Sequence, residues 1–97
     1  MALIRCGAGS TELNYHYYDH SEMTSLSNTI TGINAKDMYV ELYRSATPTL
    51  TLNGVTVTAE DTEALSGSDQ LAVYHLTDVK ASDTLVATAW SARVFYI

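Results

Sequence analysis

Thr49-Leu50-Thr51-Leu52-Asn53-Gly54-Val55-Thr56-Val57-Thr58 is the stretch whose reading decides the fold class. Apolar and hydroxyl side chains alternate on either side of Asn-Gly, the strongest short-range signal for a two-residue β-hairpin. Both turn residues tolerate the positive φ that such a turn demands. The register follows from the turn. Leu52 faces Val55 and Leu50 faces Val57 on an apolar face, while Thr51 faces Thr56 and Thr49 faces Thr58 on the other.

The same period of two runs upstream. Across Asp37 to Arg44, Met38, Val40 and Leu42 point one way and Tyr39, Glu41 and Tyr43 the other. Ser45-Ala46-Thr47 reads as the turn that follows, and Pro48 ends the unit. Further strands are expected at Leu13–Tyr18, Met23–Ile30, Leu71–Leu76, Leu85–Trp90 and Val94–Ile97, with a short edge strand at Leu3–Cys6. The gaps hold Gly, Asn, Asp and Ser, as turns require. Glu60 to Leu65 is the one candidate helical turn, too short to change the fold class. About seven to nine short antiparallel strands at this spacing predict an all-β protein. The expected architecture is a single β-sandwich domain over residues 1–97, in immunoglobulin-like or jelly-roll style. The apolar segment Ala92 to Ile97 is expected to lie inside a sheet or in a subunit interface, because an unpaired apolar strand invites aggregation.

Composition narrows the function. A 97-residue chain holds one modest core. Its 46% hydrophobic share is ordinary for a globular domain, and its 16% charged share is low. The net charge is −6, and Arg5, Lys36, Arg44, Lys80 and Arg93 are scattered. No positive stripe exists to displace counterions from phosphates, which argues against nucleic acid and anionic membranes as partners. Cys6 is the single cysteine, so neither an internal disulfide nor a cysteine metal site is expected. Assembly inside a cell is expected on the same ground. The apolar run after Met1 is shorter than a signal peptide needs, so synthesis and folding in a cytoplasm are expected.

Two segments share a pattern. Thr31-Gly32-Ile33-Asn34-Ala35-Lys36-Asp37-Met38-Tyr39-Val40 echoes Thr77-Asp78-Val79-Lys80-Ala81-Ser82-Asp83-Thr84-Leu85-Val86. Each reads as a strand end, a corner and a next strand crossing between sheets, with Ile33 or Val79 as an apolar plug. Leu76 to Asp83 resembles the immunoglobulin run of leucine, apolar plug and aspartate before a late core strand. Thr31-Gly32-Ile33 followed by Tyr39 resembles the fibronectin type III corner that a tyrosine closes. The departures are clear: Ala87 and Ala89 stand where the immunoglobulin pattern has tyrosine and cysteine, and Trp90 comes late. A second resemblance covers the chain as a whole. A compact β protein that starts Met1-Ala2-Leu3-Ile4-Arg5-Cys6-Gly7, is rich in Thr, Ser and Tyr, and ends in an apolar strand is similar to small virion proteins of tailed bacteriophages. That resemblance implies a head-decoration, fibre or tail component in the virion, partnered by copies of itself or a major shell protein.

Candidate chemistry is sparse. His16, Asp19 and His20 invite a metal reading, but on a strand His16 and His20 stand about 13 Å apart, too far for one ion. Tyrosine-rich composition favours the strand. Glu60, Asp61, Glu63 and Asp69 read as a solvated acidic loop whose spacing fits no calcium loop. His75 reads as a hydrogen-bonded structural histidine, and no serine sits in a nucleophile turn. No catalytic residue, metal or cofactor is expected. The aromatics carry more information, because tyrosine gives large contact area at low entropic cost. Tyr15, Tyr17, Tyr39, Tyr43, Trp90, Phe95 and Tyr96 are the candidate interface residues. The expected function is non-enzymatic assembly through protein–protein contact. The alternative is a monomeric module that uses exposed Tyr and Trp90 to bind a carbohydrate or a protein.

Overall fold

The computed structural model describes residues 13–18 and 27–97. Those residues form nine strands and no helix. In chain order they are β1 (Asn14–Tyr18), β2 (Ser27–Ile30), β3 (Ala35–Arg44), β4 (Thr49–Leu52), β5 (Val55–Thr56), β6 (Asp61–Ala64), β7 (Gln70–Val79), β8 (Leu85–Thr88) and β9 (Ser91–Tyr96). Every pairing is antiparallel. The expected edge strand at Leu3–Cys6 and the first part of the expected Met23–Ile30 strand lie outside the described residues.

The pairing radiates from Asn53-Gly54. Thr51 pairs with Thr56 across that turn, Ala35 with Val79, Ser27 with Thr88, and Asn14 with Tyr96. Each pair brackets the one before it, so the chain is one long antiparallel ribbon doubled back at the hairpin. The ribbon then wraps until β9 lies along β3 and β8 along β4. Two sheets result, ordered β1-β9-β3-β7-β6 and β2-β8-β4-β5. With β6 set aside, eight strands in this order make the double Greek key of a jelly roll. An immunoglobulin sandwich pairs its first strand with its second; here β1 lies beside the last. The protein is therefore an all-β sandwich whose strand order is the jelly-roll one.

The core follows the period of two. Met38, Val40 and Leu42 are fully buried on the inner side of β3. Their cross-strand neighbours alternate in size: Ala72 and Ala92 flank Leu42, and Tyr74 and Val94 flank Val40. From the opposing sheet Leu50, Leu85 and Ala87 complete the same cluster. Small residues beside Leu42 leave room for its branches, as interdigitated packing requires. Tyr74 is also buried, and its hydroxyl donates to the Pro48 carbonyl at 3.0 Å. Val57 and Leu52 pack at the margin, whereas Val55 is 69% exposed because β5 ends the sheet.

Two expectations need correction. Glu60 to Leu65 is not helical; Asp61–Ala64 is an edge strand paired with β7. Four residues cannot nucleate a helix alone, whereas the waiting edge of β7 offers ladder bonds at once. The three later strands also shift, to Gln70–Val79, Leu85–Thr88 and Ser91–Tyr96, as far as their partners supply bonds. The expectation for the C-terminal segment holds: β9 is hydrogen-bonded on both sides, by β1 and β3.

The two echoing segments are two of the crossings between sheets, β2 to β3 and β7 to β8, and they touch. The Gly32 amide donates to the Ala81 carbonyl at 3.1 Å, and the Ala81 amide donates to Asn34 Oδ1 at 2.8 Å. Gly32 sits at φ 83, a conformation that suits glycine. A second tie anchors the hairpin. Asn53, at φ 51, donates its amide side chain to Asp83 at 3.0 Å and accepts from the Thr84 amide at 2.9 Å. Asp83 also accepts from the Lys80 amide at 2.9 Å. These bonds, the Lys80 one foremost, hold the Asp83 carboxyl below its ordinary pKa of 3.8.

Leu42→Ala should destabilise the fold by about 2–5 kcal/mol in urea unfolding. Val55→Ala, at the exposed edge, should stay within about 0.5 kcal/mol of wild type. A lowered carboxyl pKa stabilises the folded state above the ordinary carboxylate range, and that gain disappears as pH falls through the depressed value. Asp83→Ala should therefore lower Tm at about pH 6, and the difference from wild type should close towards about pH 2. A constant difference across that range would show that Asp83 acts through packing alone.

Candidate functional site

The outward side chains of the five-stranded sheet form rows across the strands. Tyr15 on β1 faces Phe95 on β9, Phe95 faces Tyr39 on β3, and Tyr39 faces His75 on β7. The Tyr15 and Phe95 rings lie 4.9 Å apart, and Tyr39 stacks on His75 at 4.3 Å with the planes 2° from parallel. The next row runs Tyr17, Arg93, Glu41, Val73 and Asp61. The Arg93 guanidinium stands 5.8 Å above the Tyr17 ring, and its Nη1 is 3.9 Å from Glu41. The third row holds Ser91, Tyr43, Leu71 and Glu63. Between the second and third rows lies a half-open groove of ≈ 400 Å³, lined by Tyr17, Glu41, Tyr43, Leu71 and Arg93 with Leu65 above β6.

Neighbours hold the rings of this face in place. The Tyr43 hydroxyl donates to Asp69 Oδ2 at 2.7 Å, and its ring meets Trp90 edge-on at 6.1 Å. That hydrogen bond is the first cause of a raised Tyr43 pKa, with desolvation and the Asp69 charge adding to it. His75 Nε2 is 3.0 Å from Asp37 Oδ1, and Nδ1 is 3.6 Å from Glu60 Oε2. Both ring nitrogens thus face carboxylates and neither is directed at a hydroxyl nucleophile. Among the described residues, no group of three or more His, Cys, Asp or Glu side chains is arranged to hold a metal ion.

The expected interface residues divide. Tyr15, Tyr17 and Tyr39 are 47%, 44% and 41% exposed, and Phe95 and Tyr43 are half-buried on the same face. Trp90 lies in the turn between β8 and β9, at the end of that face. Tyr96 is the exception. It shares its parity with Ala92 and Val94 and packs against the core, because it points inward from β9. His16 lies on β1, its ring 4.1 Å from Tyr18, and His20 lies outside the described residues. Sequence reasoning passed over Glu41, Leu71 and Arg93. The alternation Arg93, Val94, Phe95 was the available signal for Arg93, and the Leu71 wall needed β6 to be recognised as a strand.

A second groove, of ≈ 430 Å³, opens where Lys36, Asp78 and Lys80 gather around Ile97. It has no aromatic wall, so the face of the five-stranded sheet is the stronger candidate. No family model, curated protein or solved structure matches this chain.

In an alkaline titration, part of the tyrosine ionisation should be delayed beyond the ordinary tyrosine value of 10.0, since Tyr43 is raised by its Asp69 bond and Tyr74 by burial. Tyr43→Phe and Tyr74→Phe should each remove a share of the delayed phenolate absorbance. A delayed fraction unchanged in both variants would contradict the assignment.

Proposed function

We propose that this protein is a non-enzymatic structural component of a virion, of the capsid-decoration or fibre and tail type, acting by protein–protein assembly. The observation that carries the reading is the aromatic row Tyr15, Phe95, Tyr39 and His75 on an exposed sheet face. Exposed rings already ordered by their neighbours lose little freedom on binding, which favours a contact surface. The sandwich beneath joins all nine strands by antiparallel pairing into two sheets over one core, which suits a repeated shell or fibre component. The jelly-roll order occurs in viral capsid domains and equally in lectins, so the fold adds only analogy.

The groove between Tyr17 and Tyr43 favours a second reading, a monomeric module that takes a carbohydrate or a peptide there. The two differ in where the protein is found. Mass spectrometry of density-purified virus particles from the source culture should detect the chain in many copies per particle. Substituting Tyr15→Ser, Tyr17→Ser and Tyr39→Ser together should remove it from particles while leaving Tm close to wild type. A chain confined to the soluble fraction would overturn the virion reading and leave the binding module.

A further inference from the structure

The face that carries the aromatic row is unevenly charged. Asp37, Glu41, Glu60, Asp61, Glu63 and Asp69 all lie on its β3–β7–β6 side, more than half of the chain's 11 acidic residues. Among the described residues Arg93 is the one cation in this face. It stands on β9, shared between Glu41 and the Tyr17 ring. Lys36 and Lys80 lie at the second groove, away from it.

Like charges gathered on one sheet face repel each other and leave a negative field over it. A second copy of this chain would present the same carboxylates, so isologous pairing of two such faces is opposed. Nucleic acid is repelled for the same reason. A cationic partner meets the opposite condition. Lysine and arginine stems cover apolar surface while their heads reach carboxylates, and both cations are attracted to tyrosine faces. The groove offers these features together, with Leu65 and Leu71 for the stem, Tyr43 for the ring contact and Glu41 for the head.

We propose that the β3–β7–β6 side of the five-stranded sheet docks a basic segment of a different protein, whose lysine or arginine side chains pack on Tyr39 and Tyr43 and pair with Glu41, Asp61 and Glu63. This rests on the assembly reading and supplies the chemistry of the partner in it. The contact is between unlike chains, and its strength falls with salt.

The test is an amide NMR titration of the whole chain with an alternating arginine–serine decapeptide and its glutamine–serine counterpart. The arginine peptide should shift amides concentrated on β3, β7 and β6. Its affinity should fall about tenfold between about 20 and 200 mM salt as screening shortens the reach of the carboxylates. The combined variant Glu41→Gln, Asp61→Asn and Glu63→Gln should weaken it by a similar factor with Tm retained, while Asp78→Asn should leave binding unchanged. Equal binding of the glutamine peptide on the same face would overturn the charge-selective partner and leave the assembly reading standing. Shifts located elsewhere, or none with the arginine peptide, would overturn the proposal as well. Absence of the chain from purified particles would instead remove the assembly reading, whatever the peptides do.

Discussion

Strand β3 is the constraint on which the sandwich depends. It is hydrogen-bonded along both edges, to β7 and to β9, and it buries Met38, Val40 and Leu42 completely. A strand held on both sides cannot slip by one residue without turning that apolar set towards solvent. Its register therefore sets those of β7 and β9, and through β9 that of β1. The same condition aims Tyr39, Glu41 and Tyr43 outward, so the core and the candidate contact face come from one alternation. Mutations that loosen the inner face of β3 will consequently disorder the outer face too.

Closure of the ribbon is a separate matter. Two of the sheet crossings, β2 to β3 and β7 to β8, lie side by side, joined by backbone and Asn34 side-chain bonds, and the hairpin tip is tied by Asn53 to Asp83 and Thr84. These bonds join segments far apart in sequence. They satisfy corner groups that no ladder could reach. The pattern shared by the two corners has a physical sense here, since each must turn the chain from one sheet to the other at the same end of the molecule.

The edges show how a small sandwich avoids uncontrolled pairing. On one side of the larger sheet, β6 carries Asp61 and Glu63, and charge on an edge strand opposes indiscriminate addition of another strand. The same carboxylates border the tyrosine rows. Protection of the edge and selection of a partner can thus share residues, because one negative field opposes a like-charged sheet and attracts a basic segment.

Much was legible from residues alone. The Asn53-Gly54 hairpin, the two faces of β3, the paired C-terminal strand and the shared face of Tyr15 and Tyr17 all follow from a period of two and turn chemistry, which are local properties of the chain; that Tyr15 and Tyr17 face outward came from the pairing of β1 with β9. Tyr96 points inward from β9, a parity that could be used only once the register of β9 was known. Strand β6 was missed because its hydrogen bonds come from β7 and not from its own propensity. The sequence by itself determined the period of two and the turn chemistry, and with them most of the strands and the apolar side of β3. Only the tertiary structure decided the jelly-roll order and the meeting of Tyr17, Tyr43, Arg93 and Glu41 in one groove. Strand order depends on pairings between distant segments, and nothing in a local alternation specifies which distant edge a strand will meet.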